Sequence, residues 1–288
     1  MSTPLGHFCL FPLLAGLLFC DSPASAAKPA LTLSHEAPHW LVIHGDHIPC
    51  KQVRINYLEA YCRANSTDAD WVEHTVVKHQ AQFISLNKEK TVLRLRDKVS
   101  DGLIVEHTIK AGREEIEFLI SVHNPTDQQS EAHWAQPCIR LGDFTGFPSQ
   151  GRDLNDYLGK CFLFLKGKLV RMTEVKPWAM GARYTPGQVW CPNGVPRTDV
   201  NPRPLSALVP TSGLIGCYSG DDKMIFAVAF EPYQELFQGV ARCLHSDFRL
   251  GGVKAGGKMQ IRGRVYLMKN DVPRLLRRYK ADFPGHQK

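Results

Sequence analysis

The sequence lacks the local signatures of several large enzyme classes. Its 288 residues contain no Gly-x-Ser-x-Gly, no P-loop and no Gly-x-Gly-x-x-Gly fingerprint. These motifs build the nucleophile elbow of acyl hydrolases, the phosphate cradle of NTPases and the dinucleotide site of Rossmann enzymes. Nothing in the chain therefore supports those three functions.

Paired cysteines and blocks of charge are also missing. No C-x-x-C spacing occurs, which excludes the usual zinc-ribbon arrangement. The formal net charge of +7 is spread along the chain, with its densest runs at 94–98 and 274–280. A diffuse basic excess without a recognised motif argues against nucleic acid as a partner. It fits either plain solubility or a partner such as an acidic glycan.

The N-terminus has the pattern of an export signal, although it has no Lys or Arg before its apolar run. Residues 8–19 are apolar, and Ala24-Ser25-Ala26 follows as a cleavage-site pattern. This run is too short to be a retained transmembrane helix, and no later stretch is long and apolar enough. We therefore expect residues 1–26 to be a signal peptide. The mature chain, 27–288, is then expected to be a single secreted or periplasmic domain with no transmembrane segment.

The cysteines leave two interpretations open. The chain has nine, of which Cys9 and Cys20 precede residue 27, so the mature chain keeps an odd number spread singly. An oxidising compartment would permit one or two disulfides, but the sequence cannot pair them. Alternatively, most are small buried apolar residues on strands.

Side chains alternate with a period of two over most of the chain. Residues 103–110 alternate, and after Gly112 the pattern resumes over 115–122. Alternation on both sides of a Gly-containing connection predicts an antiparallel strand pair, and similar pairs recur along the chain. Many strands joined by Gly-rich turns predict an all-β fold, a large antiparallel β-sandwich of the super-sandwich type.

Two segments depart from this pattern. A short C-terminal helix is predicted where Asp271 can cap, Pro273 fits the first turn, and Leu275 and Tyr279 lie on one apolar side. Residues 185–210 carry six prolines, which exclude a central strand and predict a long functional or covering loop.

The stretch His35-Glu36-x-x-His39 has the letters of a zinc protease motif. That motif works because residues four apart share one face of a helix. Here Pro38 lies between the histidines, and in a helix interior it would cost about 3 kcal/mol. We predict no protease metal site and no cofactor. A metal cluster of His35, His39, His44 and His47 is the weakest alternative.

The segment 54–63 places polar groups where a strand prefers apolar ones. Alternation puts Glu59 on the same face as Tyr57 and Tyr61, with Arg63 at the end. A carboxylate among aromatic rings can accept hydrogen bonds from sugar hydroxyls or act as a base. The alternative is a structural, paired glutamate near a strand end.

The segment 130–140 is a second such place. His133 lies near a predicted strand start beside Trp134, and Arg140 follows. Histidine is the usual proton carrier at neutral pH, and aromatic rings stack on sugar faces. These residues would otherwise be ordinary strand residues.

Two later segments complete the candidates. Glu231 directly follows an apolar strand, at a sheet rim or in a solvated turn. His245, Asp247 and Arg249 alternate, so they share one strand face. An aspartate beside a histidine can hold its tautomer and raise its basicity, although a cross-strand polar ladder accounts for the same residues.

The pattern over 103–268 resembles the galactose-mutarotase-like super-sandwich family. The segment 123–127 followed by His133-Trp134-Ala135 is similar to a family segment of the type N-T-…-H-x-Y-F, and 253–258 is similar to its L-x-P-G-E turn. The resemblance implies an antiparallel sandwich with a sugar cleft on one concave sheet. His133 would match the family's proton-donating histidine, and Glu231 is the nearest candidate for its late catalytic glutamate.

The sequence thus predicts an exported protein that binds carbohydrate. In one hypothesis it is an epimerase or lyase that uses His133 or His245 with Glu231 for proton transfer at a sugar carbon. In the other it is a non-catalytic glycan-binding or envelope protein. The predicted substrate-binding residues are Glu59, Tyr61, Arg63, Trp134, Arg140, Asp247 and Arg249.

Overall fold

Strands dominate the computed structural model, which describes residues 1, 31–65, 71–147, 156–175, 188–200, 205–239 and 241–287. The strands are β1 Thr32–Glu36, β2 Trp40–His44, β3 Gln52–Arg63, β4 Val76–Val77, β5 His79–Leu86, β6 Val92–Val99, β7 Ile104–Ala111, β8 Glu115–His123, β9 Ala132–Arg140, β10 Cys161–Leu165, β11 Lys168–Arg171, β12 Gln188–Trp190, β13 Pro210–Tyr218, β14 Met224–Glu231, β15 Tyr233–Gln238, β16 Cys243–Arg249 and β17 Lys258–Lys269. The α-helices in this part of the chain are α1 Gly142–Thr145 and α2 Val272–Asp282. Single helical turns lie at Trp71–Thr75, Asp156–Lys160, Met172–Glu174, Arg197–Asp199 and Pro284–Gln287.

The strands form two sheets. The front sheet has eight strands in the order β1-β2-β3-β9-β16-β15-β12, with β4 paired to β3. The back sheet has nine, in the order β11-β10-β13-β14-β17-β8-β7-β6-β5. Neighbouring named strands pair antiparallel in both sheets. The predicted fold class, an all-β antiparallel sandwich with a short C-terminal helix, is confirmed.

The predicted strand pair at 103–122 shows how the sequence pattern fixes the fold locally. β7 and β8 pair from Ile104 opposite His123 to Ala111 opposite Ile116. Val105, Ile109 and other inward residues of this pair are buried in the space between the two sheets. The large apolar cluster there contains residues of both sheets, and its burial supplies the main driving force for the sandwich.

The C-terminal helix covers part of the outer face of the back sheet. Asp271 caps α2 by accepting a hydrogen bond from the Arg274 amide, as predicted from the sequence. Leu275 and Tyr279 are buried against outward residues of β13, β14 and β17, such as Tyr266. The helix α2 therefore closes the outer face over these strands.

Two short segments cover the outer face of the front sheet. On one side, Val195 and Val200 of the segment after β12 pack on Val189 of β12 and Phe237 of β15. On the other, Trp71 and its neighbours pack on Trp134 of β9. The strip of front sheet between these covers carries the candidate site.

Some of the sequence predictions concern residues outside this description. Apart from Met1, the expected signal peptide lies outside the described residues, as do residues 185–187 and 201–204 of the proline-rich stretch. The described part of that stretch holds β12, which is the edge strand of the front sheet, and the turn at Arg197–Asp199, after which Val200 packs on the outer face of that sheet. Across the described ranges, no helix combines the length and apolarity needed to cross a membrane.

Candidate functional site

The N-terminal histidines lie on a hairpin and not on a helix. His35 belongs to β1, and His39 is in the turn that leads into β2. The His44 ring is 2.8 Å from the Ser34 hydroxyl across this hairpin. The helical geometry of a zinc protease motif is therefore ruled out, as the proline predicted.

A pocket opens on the outer face of the front sheet, between the two covering segments. Its volume is about 190 Å³. Its walls are Trp71 from one cover and Phe237 of β15 near the other, and its floor comes from β3, β9 and β16. The lining residues are Glu59, Trp71, Gln136, Cys138, Arg140, Phe237, Gly239, Ala241, Cys243 and His245.

A row of three polar side chains on β16 points toward this pocket side of the sheet. Cys243, His245 and Asp247 are every second residue, whereas Leu244 and Phe248 between and beside them pack into the intersheet core. The Cys243 Sγ to His245 Nε2 distance is 3.4 Å, and His245 Nδ1 lies 3.5 Å from Asp247 Oδ1. Thiol, imidazole and carboxylate therefore follow one another along a single strand.

Cys138 of the neighbouring strand β9 completes this group. Its Sγ, the Cys243 Sγ and a His245 ring nitrogen all lie within 4.8 Å of one another. Cys138, Cys243 and His245 are 2%, 3% and 1% exposed. Soft donors from two strands thus meet at one buried point in the floor of the pocket.

The electrostatics of this group favour a thiolate beside a charged imidazole. The Cys138 thiol donates a hydrogen bond to Cys243 and, with His245, lowers the pKa of Cys243 well below its usual range despite burial. Burial raises the pKa of Cys138, and the bond to Cys243 adds to this. Burial lowers the pKa of His245, but the Cys243 and Asp247 charges outweigh it and raise that pKa to about 9.

Glu59 and Arg140 form the polar rim of the pocket, with the guanidinium 3.8 Å from the carboxylate. Simple alternation predicted Glu59 on the face of Tyr57 and Tyr61, and this was wrong. In the β3–β9 pair, Asn56 is opposite Cys138 and Ala60 is opposite Gln136, so β3 carries two extra residues over this interval. This bulge lets Tyr57 and Leu58 both face the core and turns Glu59 outward.

His133 lies in a neighbouring polar group and does not line the pocket. Its Nδ1 is 3.9 Å from Asp199 Oδ2. Arg249 lies 3.4 Å from the same carboxylate oxygen and donates to Gln234 at 2.6 Å. Burial lowers the pKa of His133, and the Asp199 charge opposes this. Arg249 shares this group with His133, so these two predicted residues are brought together.

Glu231 lies on the other sheet. It ends β14 in the back sheet, where it pairs with Arg262 of β17 at 2.5 Å. The structure therefore does not bring Glu231 together with His245, which belongs to the front sheet.

The remaining predicted residues, Tyr61, Trp134 and Arg63, are engaged in core packing, hydrogen bonds or ion pairs away from the pocket. Tyr61 points into the intersheet core and donates its hydroxyl to Asp97. Trp134 is fully buried beneath Trp71, and Arg63 pairs with Glu131 at 2.7 Å. None of the three predicted residues lines the pocket.

Sequence reasoning missed several residues of the site. Cys243 is two residues before His245, so the alternation that selected His245 and Asp247 also placed this thiol on their face. Cys138, Trp71 and Phe237 come from distant parts of the chain, and no local pattern marks them.

A larger, open cavity of about 1220 Å³ lies elsewhere, near Lys223 and Arg274. Several of its charged side chains are already paired: Arg274 contacts Glu114 at 2.6 Å and Lys223 contacts Asp221 at 3.2 Å. With these charges already matched, this cavity is a weaker candidate than the smaller pocket.

Comparisons with known proteins give similarity of fold. No protein-family model and no curated protein sequence matches the chain. Similar solved structures include a galactose mutarotase-like protein from Lactobacillus casei, with 10% identity, TM-score 0.42, and coverage of 82% of this chain and 99% of that one. A candidate aldose 1-epimerase from Escherichia coli K12 has 8% identity, TM-score 0.41, and coverage of 83% of this chain and 99% of that one. The names of these two structures are of the mutarotase and epimerase type that the sequence pattern resembles. Their TM-scores are below 0.5, and we transfer no residue role from them.

Proposed function

We propose that this protein binds a carbohydrate in the front-sheet pocket. The observation that carries the proposal is the juxtaposition of Glu59 and Arg140 with the aromatic side chains of Trp71 and Phe237 around one small cavity. Sugars present hydroxyl groups at their edges and apolar C–H faces. A site for them combines paired polar groups with aromatic surface.

The polar groups of the pocket have capacity to bind a ligand. Within the described residues, the buried Arg140 Nε has no hydrogen-bond partner, and its guanidinium approaches Glu59 only to 3.8 Å. A buried donor without a partner costs about 1–3 kcal/mol, so a ligand acceptor there is favoured. A carboxylate and a guanidinium side by side can accept from and donate to neighbouring sugar hydroxyls.

The size of the pocket points to a single sugar ring or a chain end. Its volume of about 190 Å³ is below the ~300–1,000 Å³ that is typical of pockets for drug-sized ligands. Arg140 also favours a sugar acid, since a guanidinium binds a carboxylate in bidentate fashion. This preference agrees with the basic net charge of +7. The proposal includes export, which rests on the signal-like pattern in residues 1–26.

The catalytic form of this proposal is an epimerase- or lyase-type proton transfer at a sugar carbon. It requires an acid and a base within reach of one carbon. Glu231 lies on the other sheet, whereas His245 and Glu59 both line the pocket. In this form, His245 and Glu59 are the acid–base pair, and without turnover the protein is a glycan-binding module.

A glycan array of neutral and uronate-containing sugars, followed by calorimetry on each hit, tests the proposal. Glu59→Gln and Arg140→Ala are expected to weaken binding at least tenfold, because each removes a polar partner of the ligand. Glu231→Gln is the matched control, since it makes the same chemical change on the other sheet, and binding should be unchanged. Absence of any hit, or binding that survives both pocket substitutions, overturns the proposal.

Each binding sugar is then incubated with the protein and followed by NMR for epimerised or unsaturated product. Turnover that is lost in Glu59→Gln and kept in Glu231→Gln supports the catalytic form. Binding without any product restricts the function to recognition.

A further inference from the structure

The group of Cys138, Cys243 and His245 has the composition of a metal site. It is the one set of three or more metal-ligating side chains in the described parts of the chain whose donor atoms lie within 4.8 Å of one another. The donors come from two adjacent strands, β9 and β16, which a sheet holds in fixed positions. Thiolates and imidazole are the preferred ligands of zinc and other thiophilic ions.

We propose that Cys138, Cys243 and His245 bind a thiophilic metal ion, Zn²⁺, whose fourth coordination position opens into the front-sheet pocket. This revises the sequence-based expectation that the protein has no metal site and no cofactor. Metal binding does not depend on the proposed carbohydrate function, because the three ligands come from the protein alone.

The distances fit a tetrahedral ion. Zinc bonds of about 2.3 Å to sulfur and about 2.0–2.1 Å to nitrogen, at a tetrahedral angle, separate the two donors by about 3.5–3.6 Å. The Cys243 Sγ to His245 Nε2 distance is 3.4 Å. Little rearrangement of β16 is needed to place both donors on one ion.

Asp247 occupies the place of the outer partner that metal-binding histidines usually have. Its Oδ1 is 3.5 Å from Nδ1 of His245, whereas the other ring nitrogen, Nε2, is the one that approaches Cys243. A carboxylate at Nδ1 holds the proton there and leaves the Nε2 lone pair for the ion. Glu235 of β15 is directly opposite Asp247, and both carboxylates are fully buried.

The position of the group also indicates an open site. All three ligands line the same pocket as Glu59 and Arg140. Three protein ligands with a fourth position toward a cavity are typical of catalytic zinc sites, whereas structural sites are closed by four. Water or a ligand hydroxyl would complete the coordination. An ion on Nε2 would prevent His245 from transferring protons, so metal binding and the catalytic form proposed above exclude each other.

Another pair of cysteines provides an internal comparison. Cys161 of β10 is directly opposite Cys217 of β13, and both are fully buried in the intersheet core. No imidazole belongs to that pair, and in the described residues it is not part of a metal-ligating group of three. Cys161→Ala therefore removes a buried thiol without touching the proposed site.

The test is metal titration of the purified, chelator-stripped protein kept under a non-thiol reductant. We expect one Zn²⁺ per chain by calorimetry. Titration with Co²⁺ should give a thiolate-to-cobalt charge-transfer band and the visible absorption of a tetrahedral ion.

Variants assign the ligands. Cys138→Ser, Cys243→Ser and His245→Asn should each weaken Zn²⁺ binding by about 100-fold or more, and Asp247→Asn by about 10–100-fold. Cys161→Ala should keep one ion per chain and the same cobalt spectrum. Because a variant in a buried site can fail to fold, circular dichroism of each metal-free variant accompanies its titration.

Three results would overturn the proposal. The first is a wild-type protein without a charge-transfer band. The second is a cobalt spectrum that persists in folded Cys138→Ser and Cys243→Ser. The third is protein purified without reductant in which Cys138 and Cys243 are entirely disulfide-bonded. Glu59→Gln and Arg140→Ala should weaken carbohydrate binding at least tenfold and keep the cobalt spectrum, so failure of one proposal is distinguished from failure of the other.

Discussion

Replacing Asp97 with alanine tests how the two sheets are held together. Asp97, on β6 of the back sheet, is 2% exposed within an otherwise apolar core. Its carboxylate lies 2.9 Å from His107 Nε2 and accepts a hydrogen bond from the Tyr61 hydroxyl at 3.0 Å. Tyr61 and Tyr57 belong to the front sheet, and the Tyr57 hydroxyl is 2.8 Å from His107 Nδ1. These side chains form a buried polar bridge between the sheets.

The loss of unfolding free energy in Asp97→Ala can be estimated from the buried groups that lose their hydrogen-bond partner. Asp97→Ala removes the partner of two buried groups, His107 and Tyr61, which are 1% and 0% exposed. Each lost bond to a charged group is worth about 1.5–3 kcal/mol. We expect the free energy of unfolding to fall by about 3–5 kcal/mol, and by about 1–3 kcal/mol in Tyr57→Phe, which breaks only the outer bond of the bridge.

The stability lost in Asp97→Ala should also depend on pH, because Asp97 is a titratable group. Burial raises the pKa of Asp97, but the bond from His107 and the nearby histidines and tyrosine outweigh it, so the pKa is lowered in the folded protein. A carboxyl whose pKa is lower in the folded state stabilises the fold fully above its unfolded pKa of about 3.9. The contribution disappears as the pH falls through the lower folded value. The difference between wild type and Asp97→Ala should therefore be constant near neutrality and shrink below about pH 4.

Urea unfolding followed by tryptophan fluorescence at several pH values measures both quantities. A loss below about 1 kcal/mol at neutral pH would show that the bridge contributes little net stability. A difference that grows on acidification would refute the assignment of the lowered pKa to the folded state.

Three further outcomes are expected. Leu275→Ala should lower the free energy of unfolding by about 2–5 kcal/mol, because this fully buried residue fixes α2 on the back sheet. Calorimetric melting measures this loss of stability, and an unchanged melting temperature would contradict the packing. Asp271→Ala should cost about 0.5–2 kcal/mol by removing the cap of α2, seen in the same melts, where Asp271→Ser should recover most of the loss. In the metal-free protein at pH 7, iodoacetamide should modify Cys243 before Cys161 and Cys217. Cys243 lines the pocket and its thiol pKa is lowered, whereas burial raises the thiol pKa values of Cys161 and Cys217. Peptide mass spectrometry reads the order of modification, and earlier labelling of Cys161 would contradict it.

The regular parts of the fold could be predicted because they depend on local pattern. The period of two over 103–122 defines which residues of β7 and β8 face the core, and the structure has that arrangement. The C-terminal helix follows from its cap at Asp271 and its apolar side at Leu275 and Tyr279. In both places the short-range signals agree with the packing, so no information from distant residues is needed.

The site could be predicted only in fragments, for two physical reasons. A bulge interrupts the alternation of faces locally: the two extra residues of β3 place both Tyr57 and Leu58 in the core and turn Glu59 outward, and no turn residue in the sequence marks this position. The meeting of Cys138 with Cys243 depends on which strands become neighbours in the front sheet, and strand order is a property of the whole chain. For the same reason Glu231 could not be assigned to the back sheet from its sequence surroundings.

On β16, polar and apolar side chains alternate, so the positions of the polar side chains depend on the register of the strand. Cys243, His245 and Asp247 reach the outer face only while Leu244 and Phe248 are held in the core. Deleting one residue just inside this strand would exchange the two sets at once, burying the imidazole among aliphatic side chains and exposing a phenyl ring to water. A register shift of one position would therefore remove the row of polar groups from the outer face and disrupt the packing of the core at the same time.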